Sequence, residues 1–353
     1  MFLSGEANAD QVIKGVDMTD YYSAAYQAMI KDWRLKKTMG DFAVITMQLP
    51  PSEPHGSNVT DESGRPAIRL AQQQAQARIG GTTLITGAAV GLDLGGISAW
   101  GIDHPPNKNE MAKRLAAQVL HVAYARQVPL WTGPVFSGDA DNSVKGLVTV
   151  KFDLITAGGG MTLRDVKAKN IDGTSNDCIA CCNGSGIPFE VALPAAGSEN
   201  EVTWVRIAKE DVEIVSGVNN TIKLKFSSQE HAVSIRYAYS DYVECVLDNI
   251  DTGFPAGPFV YDFSSSFSSS DSQQKAVSHG FDMLLNGGSP PMGYNTWNFA
   301  HCNIDEIIVK ELVTTFHSTG LAAAGYEYVN IDDCWQVDRF PNGKKHPNIP
   351  LNY

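Results

Sequence analysis

Basic side chains are scarce in this 353-residue chain, which has 27 lysines and arginines against 39 aspartates and glutamates and a net charge of −12. They form no cluster of the kind that binds a phosphate backbone, which argues against nucleic acid as a partner. No apolar run approaches the roughly 20 residues that a membrane-spanning helix needs, so no membrane partner is expected. Hydrophobic residues still make up 43% of the chain, which is enough for a sizeable core and argues against wholesale disorder.

A complete zinc-binding pattern is also missing. The six cysteines include the run Cys178-x-x-Cys181-Cys182, but no second Cys/His pair at a suitable spacing completes a set of four ligands. We therefore expect no metal and no cofactor. Glycosylation triplets begin at Asn58, Asn183 and Asn219. Together with the cysteines they favour a secreted or lysosomal protein, although the first residues carry no signal peptide.

Helical and strand-like patterns alternate over residues 1–135. Apolar side chains at a spacing of three to four are typical of a helix packed on one face, and short continuous apolar runs are typical of buried strands. These patterns predict a helix over Thr19–Leu35, a strand over Asp41–Leu49, a helix over Pro66–Ile79, a strand over Thr82–Val90 and a helix over Asn107–Ala125. Helices interleaved with buried strands predict an α/β fold, with helices on both faces of a parallel sheet.

The pattern changes after residue 145. Short alternating segments separated by Gly-, Asn- and Ser-rich turns predict an antiparallel β domain up to residue 263. A serine-rich stretch follows and is typical of a linker. Beyond residue 290 the pattern is strand, helix, strand, which is one βαβ unit. We therefore predict four parts: residues 1–135, 136–263, 264–284 and 285–353.

Catalytic candidates in the first part lie on two loops. His104 sits on a loop before a predicted helix, where a histidine can act as a general base, and either Asp103 or Asp93 could orient it. Gly5 lets the backbone approach a ligand, and Asn8 could donate an N–H group to an oxyanion. The alternatives are an exposed or helix-capping histidine and a plain turn that leads into the first helix.

These loops belong to an ordered series of motifs. The series is Gly5-Glu6-Ala7-Asn8, Ile30-Lys31-Asp32-Trp33-Arg34, Gln48-Leu49, Asp93-Leu94-Gly95, His104-Pro105-x-Asn107-Lys108, Arg114-Leu115, Ala123-Tyr124, Ile235-Arg236-Tyr237-Ala238-Tyr239 and Phe254-Pro255-Ala256-Gly257-Pro258-Phe259. In this order it resembles the sialate O-acetylesterases over about residues 1–263. The resemblance implies a partial SGNH-hydrolase (flavodoxin-like) parallel sheet followed by a β-sandwich-like module. It also implies that His104 is the catalytic histidine and that Gly5 and Asn8 help form the oxyanion hole.

Three departures from that family are visible. Ser4 stands where the family has glutamine before its Gly-Glu pair, and the residue three before His104 is Gly101 rather than aspartate. The family's nucleophile lies in a Gly-x-Ser-Asn-type motif, and none occurs upstream of Asn8. A serine esterase needs that nucleophile. We therefore expect the C-terminal part of an esterase domain, with weak or no activity in this chain.

Two adjacent carboxylates follow a predicted strand near the end of the chain. Asp332 and Asp333 could accept hydrogen bonds from sugar hydroxyls, and Trp335 could stack on a sugar ring. The alternative is a helix-capping pair beside a core tryptophan. The residues belong to the series Pro291-Met292-Gly293-Tyr294-Asn295-Thr296-Trp297-Asn298, His301-Cys302-Asn303, Gly325-Tyr326 and Asn330-Ile331-Asp332-Asp333-Cys334-Trp335.

This second series resembles the opening of family 27 glycoside hydrolases, the α-galactosidases, over about residues 285–345. The resemblance implies the first βαβ unit of an incomplete (β/α)8 barrel, in which Asp332 and Asp333 bind galactose and Trp297 and Trp335 form the pocket walls. It also implies a disulfide between Cys302 and Cys334. That family's nucleophile and acid/base carboxylates lie on later strands, so this segment is not expected to hydrolyse a glycoside by itself.

Together the two resemblances predict a carbohydrate-active hydrolase, with part of an acetylesterase joined to part of an α-galactosidase. Its expected substrates are acetylated sialic acid or another O-acetylated glycan, and α-galactosides. The alternative is a non-catalytic sugar-binding protein or decayed hydrolase that uses the β module and the Asp332 end. A barrel start without its other strands is also expected to expose apolar surface beyond residue 290.

Overall fold

The computed structural model describes residues 5, 9, 12–13, 16–36, 42–51, 64–79, 86–96, 98, 104, 106–128, 130–166, 182, 186–195, 201–215, 217–218, 220–263, 292–332, 336–339 and 345–347. The chain forms two compact units, residues 1–277 and 278–353. In the described part of the chain, no helix is long and apolar enough to cross a membrane.

The helices are α1 (Met18–Lys36), α2 (Arg65–Ile79), α3 (Lys108–Val122), α4 (Leu154–Ala157), α5 (Trp297–Ala300) and α6 (Glu306–Ser318). The strands of the first unit are β1 (Val12–Ile13), β2 (Val16–Asp17), β3 (Val44–Met47), β4 (Thr86–Ala89), β5 (Phe136–Asp141), β6 (Leu147–Phe152), β7 (Met161–Asp165), β8 (Phe189–Pro194), β9 (Val202–Arg206), β10 (Val212–Ile214), β11 (Thr221–Lys225), β12 (Ser234–Tyr237), β13 (Cys245–Asn249) and β14 (Phe259–Asp262). Those of the second unit are β15 (Met292–Asn295), β16 (Tyr326–Asn330), β17 (Gln336–Arg339) and β18 (Lys345–Pro347).

The α/β part of the first unit contains a small parallel sheet, as predicted. β3 and β4 pair in parallel, with Val44 opposite Thr86 and Met47 opposite Ala89. Successive side chains of a strand point to opposite faces. Thr46 shares a hydrogen bond with Tyr26 of α1, whereas the next residue, Met47, packs with Met111 of α3. Helices therefore cover both faces of this strand pair.

Antiparallel sheets make up the rest of the first unit, which confirms the β architecture predicted after residue 145. Two four-stranded sheets have the orders β10-β11-β6-β5 and β14-β12-β8-β9, and β7 pairs with β13. Alternate residues of both sheets are fully or almost fully buried in one common core, including Val148, Val150, Phe189, Val191 and Ile235. The alternation is clearest in β6, where more exposed residues separate the buried Val148, Val150 and Phe152, as in a strand with one buried face.

A βαβ arrangement forms in the second unit, as predicted. β15 and β16 pair in parallel, and α5 and α6 lie between them in the chain. α6 begins at Glu306 because the side chain of Asp305 accepts a hydrogen bond from the Ile308 N–H at 2.8 Å and so caps the helix. Among residues 292–332, 336–339 and 345–347 the strands form no closed barrel.

Apolar surface is exposed in the second unit, as expected from its sequence. The exposed fractions are 67% for Phe299, 65% for Ile307 and 57% for Tyr328. Exposed apolar side chains in one small unit are a common cause of aggregation between protein molecules. Aggregation through this exposed apolar surface stays a prediction.

Candidate functional site

The carboxyl ends of β15 and β16 bring a carboxylate and an amide together. Asn295 is the last residue of β15, and Asp332 follows the end of β16 by two residues. The Asn295 Nδ2 group donates a hydrogen bond to Asp332 Oδ2 at 2.7 Å. Because parallel strands end at the same edge of a sheet, two residues that are 37 positions apart become direct neighbours.

Thr296 holds the two strand ends at this distance. Its backbone N–H donates to the Asn330 carbonyl at 3.0 Å, and its Oγ1 accepts a hydrogen bond from the Asp332 N–H at 3.1 Å. Thr296 is only 1% exposed, so both bonds are shielded from water. The backbone of Asp332 is therefore fixed while its half-buried carboxylate stays within reach of solvent.

Trp297 lies on the other side of the same asparagine. Its backbone N–H donates to Asn295 Oδ1 at 2.8 Å, so the amide of Asn295 binds Asp332 with its nitrogen and the start of α5 with its oxygen. The indole ring is half-buried and meets the ring of His301 edge-on, with the centroids 5.4 Å apart. One side chain thus binds both the carboxylate and the backbone of the residue that carries the aromatic ring.

This arrangement has the chemistry of a sugar site. A carboxylate accepts hydrogen bonds from hydroxyl groups, and an indole ring packs on the apolar face of a sugar ring. Of the four residues predicted to bind sugar, the structure places Asp332 and Trp297 around Asn295. Asp333 and Trp335 lie outside the described residues.

Asn295 and Thr296 are the residues whose roles sequence reasoning missed. Both belong to the motif that carried the resemblance, but no role was assigned to either. A side-chain amide at the last position of a predicted strand was the available signal, because polar side chains at strand ends of parallel sheets face the binding edge.

Two disulfides involve described cysteines. Cys302 is disulfide-bonded, and its predicted partner, Cys334, lies outside the described residues. Cys182 is bonded to Cys245 across 63 residues of chain, a pairing that spacing alone cannot identify among six cysteines. A sulfur in a disulfide is not a thiolate ligand, so Cys182 is not available to the zinc site considered above.

The catalytic candidates of the first unit occupy contrasting environments. His104 is exposed and lies shortly before α3, whereas Asp93 is 4% exposed and follows β4. Gly5 has a φ of +94°, and a Cβ atom there would lie 2.7 Å from the Tyr22 ring, so only glycine fits without strain. Asn8 and Asp103 lie outside the described residues.

Asp93 is held by two arginines. Arg114 of α3 binds it with two bonds, Nη1 to Oδ1 at 2.5 Å and Nη2 to Oδ2 at 2.9 Å, and the Nη2 group of Arg164 binds Oδ2 at 2.8 Å. Burial favours the neutral acid, but the two guanidinium groups hold the pKa of Asp93 below its ordinary value. Asp93 is therefore a buried, charged carboxylate.

Arg164 extends this network into the β sheets. It lies on β7 and also binds Asp248 of β13, so the four side chains form the series Arg114–Asp93–Arg164–Asp248. Burial raises the pKa of Asp248 to about 6, against the opposing effect of Arg164. The network joins the loop after β4 to the antiparallel part of the same unit. A role of Asp93 in orienting His104 stays a prediction.

Arg69 makes a second connection between the α/β part and the antiparallel part of the first unit. This fully buried residue of α2 donates to the carbonyl of Leu49 at 2.7 Å and to those of Ser240 and Asp241 at 2.8 Å each. All three acceptors are backbone groups of loops that flank the sheets. Two buried arginines, Arg69 and Arg114, therefore hold the loops after β3 and β4.

Comparison with other proteins gives two kinds of similarity. No family model matches the chain. A solved carbohydrate acetylesterase from Xanthomonas citri aligns over 69% of this chain and 46% of its own, with 24% identity and a TM-score of 0.49.

Curated α-galactosidases match a short part of the chain closely. The α-galactosidase of Cyamopsis tetragonoloba is 49% identical over 63 residues, which is 18% of this chain and 15% of the relative. α-Galactosidase 3 of Arabidopsis thaliana is 52% identical over 56 residues, 15% of this chain and 13% of the relative. The chain thus spans about 15% of the length of the curated relatives it matches. The predicted resemblance is confirmed: over one short segment, this chain is similar to the α-galactosidases.

Proposed function

We propose that this protein is a carbohydrate-active hydrolase whose second unit binds a galactose-containing glycan at Asp332 and Trp297. The observation that carries the proposal is the bond between Asn295 and Asp332 at the carboxyl ends of two parallel strands. The similarity to α-galactosidases supports the choice of sugar. Disulfides at Cys182–Cys245 and at Cys302 support a secreted or lysosomal location.

Each residue has a distinct role in this proposal. Asp332 accepts hydrogen bonds from two sugar hydroxyls, and Asn295 keeps the carboxylate turned to the sheet edge. Trp297 covers the apolar face of the ring, while Asp333 and Trp335 complete the pocket. These groups bind and orient the sugar; hydrolysis of a glycosidic bond needs a further pair of carboxylates that flank that bond.

Replacing Asp332 with asparagine is expected to weaken galactose binding about 10- to 100-fold, because a hydrogen bond to a charged group contributes about 1.5–3 kcal/mol. Titration of the full chain with galactose, followed by NMR or tryptophan fluorescence, measures the change. Glu311→Gln, at an exposed position of α6, is the matched control and should bind as the wild type does. Equal affinity of the Asp332→Asn and wild-type proteins would refute the proposed role.

A second activity, removal of O-acetyl groups from sialic acid or other acetylated sugars, is proposed for the first unit. It is favoured by the exposed His104 at the entry to α3 and by the glycine-only conformation at Gly5. In this mechanism His104 takes the proton from the hydroxyl of the family's nucleophilic serine, whose Gly-x-Ser-Asn-type motif is missing from this sequence. Asp103 or Asp93 orients the imidazole, and Asn8 with the Gly5 backbone stabilises the oxyanion.

Hydrolysis of an activated acetyl ester tests this second activity. The wild-type rate is expected to be low, because the nucleophile motif is missing from this sequence. His104→Ala is expected to lower that rate at least about 100-fold further, the usual contribution of a general base. His317→Ala, at an exposed position of α6, should leave the rate unchanged. Galactose binding without any turnover of the ester, in wild type and variant alike, would favour the non-catalytic sugar-binding alternative.

A further inference from the structure

A small cavity lies in the first unit between α3 and the chain segments that lead into the antiparallel sheets. Its walls are formed by Arg114 and Gln118 of α3, residues 89–90 at the end of β4, residues 131–133 and residues 254–255. The space open to the centre of a water molecule is about 10 Å³, close to the smallest space that holds one water molecule. The cavity is therefore too small for a sugar or a cofactor.

The guanidinium group of Arg114, which lines this cavity, keeps one donor without a partner. Its Nη1 donates to the Val90 carbonyl at 2.7 Å, and Nη1 and Nη2 both donate to the carboxylate of Asp93. The third nitrogen, Nε, is buried, and no group in the described part of the chain accepts a hydrogen bond from it. Since an unpaired buried N–H of a charged group is unfavourable, Nε needs an acceptor.

The ring of Phe254 is the other group that could face this nitrogen. Its centroid lies 5.8 Å from the guanidinium carbon of Arg114. That distance is close to the limit of about 6 Å for a cation–π contact. A ring face is also a much weaker acceptor than an oxygen atom. An oxygen atom inside the cavity is therefore the better partner for Nε.

Gln118 supplies a polar wall of the same cavity. The residue is 4% exposed, and its Nε2 donates to the Trp131 carbonyl at 3.3 Å. Its Oε1 lies beside β4, where a Cβ atom on Gly87 would be only 2.5 Å away. A water molecule accepts and donates hydrogen bonds, so it can serve both an N–H donor and an amide oxygen.

We propose that this cavity binds one structural water molecule, which accepts a hydrogen bond from Arg114 Nε and donates one to Gln118 Oε1. The water completes the hydrogen bonds of the arginine that holds Asp93, and it connects α3 to residues 131–133 and 254–255. The site is separate from the galactose site and the ester site, and it rests on neither proposal.

A crystal structure of the full chain, at a resolution that shows ordered waters, tests the site directly. We expect a water peak about 2.7–3.2 Å from Arg114 Nε, the usual length of such a bond. In solution, the Arg114 Nε–H signal should show a rotating-frame NOE to water, whose sign distinguishes it from proton exchange. No peak and no NOE in the folded protein would mean that Nε faces the Phe254 ring and that the cavity is dry.

A variant at Gln118 tests the second hydrogen bond. Gln118→Met keeps the length of the side chain and removes its amide, so we expect the NOE between water and Arg114 Nε–H to weaken or disappear. Gln27→Met is the matched control, because Gln27 is a half-buried glutamine of α1 that does not line the cavity, and its NOE should equal that of the wild type. An unchanged NOE in Gln118→Met would overturn the assigned bond to Gln118. A solute ion in the crystal at this position, without an NOE to water in solution, would mean an adventitious ion only.

Discussion

Replacing Asp93 with asparagine is expected to lower the free energy of unfolding of the first unit by about 3–5 kcal/mol, the usual cost of removing one partner from a buried ion pair. The carboxylate is 4% exposed and binds both Arg114 and Arg164. Without this charge, the buried guanidinium of Arg114 loses the carboxylate that it binds, while the half-buried Arg164 keeps Asp248. Burying a charge without a partner is unfavourable, so the free energy of unfolding of the Asp93→Asn variant is lower.

Urea unfolding of the full chain measures this loss. Asp139→Asn is the control, because Asp139 also pairs with a basic side chain, Lys151, but both are at least half exposed. We expect a change of at most about 1 kcal/mol for that variant. A normal stability of Asp93→Asn together with a loss of ester hydrolysis would contradict the structural role and would instead favour Asp93 as the residue that orients His104.

Replacing Cys182 and Cys245 together with serine is expected to destabilise the first unit by about 4 kcal/mol. The bond closes a chain segment of 63 residues, and a cross-link over that length removes much of the freedom of the unfolded chain. The segment contains the five strands β8 to β12, which belong to both four-stranded sheets and contribute buried residues to their common core. Loss of the bond therefore acts on a segment that supplies strands to both sheets.

Reduction of the wild-type protein should reproduce the effect of the double variant. Cys302→Ser is the matched control, because Cys302 belongs to the second unit and its loss should leave the unfolding midpoint of the first unit in place. An unchanged midpoint in the Cys182→Ser/Cys245→Ser protein would mean that packing alone fixes this region.

Periodicity in the sequence predicted the elements well. The helix predicted over Thr19–Leu35 is Met18–Lys36, and the one over Pro66–Ile79 is Arg65–Ile79. The main helix of the predicted βαβ unit is Glu306–Ser318, which begins there because Asp305 caps it. Helix and strand patterns are local properties, set by which side of each segment is buried, so they can be read from a single stretch of chain.

For the candidate sites too, the sequence identified individual residues but not the contacts between distant ones. The carboxylates Asp332 and Asp333 after a predicted strand were recognisable in sequence, and the resemblance to α-galactosidases added Trp297. Their link through Asn295 depends on the parallel pairing of β15 with β16, and that pairing joins positions 37 residues apart.

What the sequence determined by itself is the order of helices and strands, the change from α/β to antiparallel β structure, and the residue types at each strand end. Only the tertiary structure decided which charges meet. It joined Asp93 to Arg164, 71 residues away, and Cys182 to Cys245. The physical reason is that a buried charge or thiol takes its properties from the groups that folding brings beside it, and those groups come from distant parts of the chain.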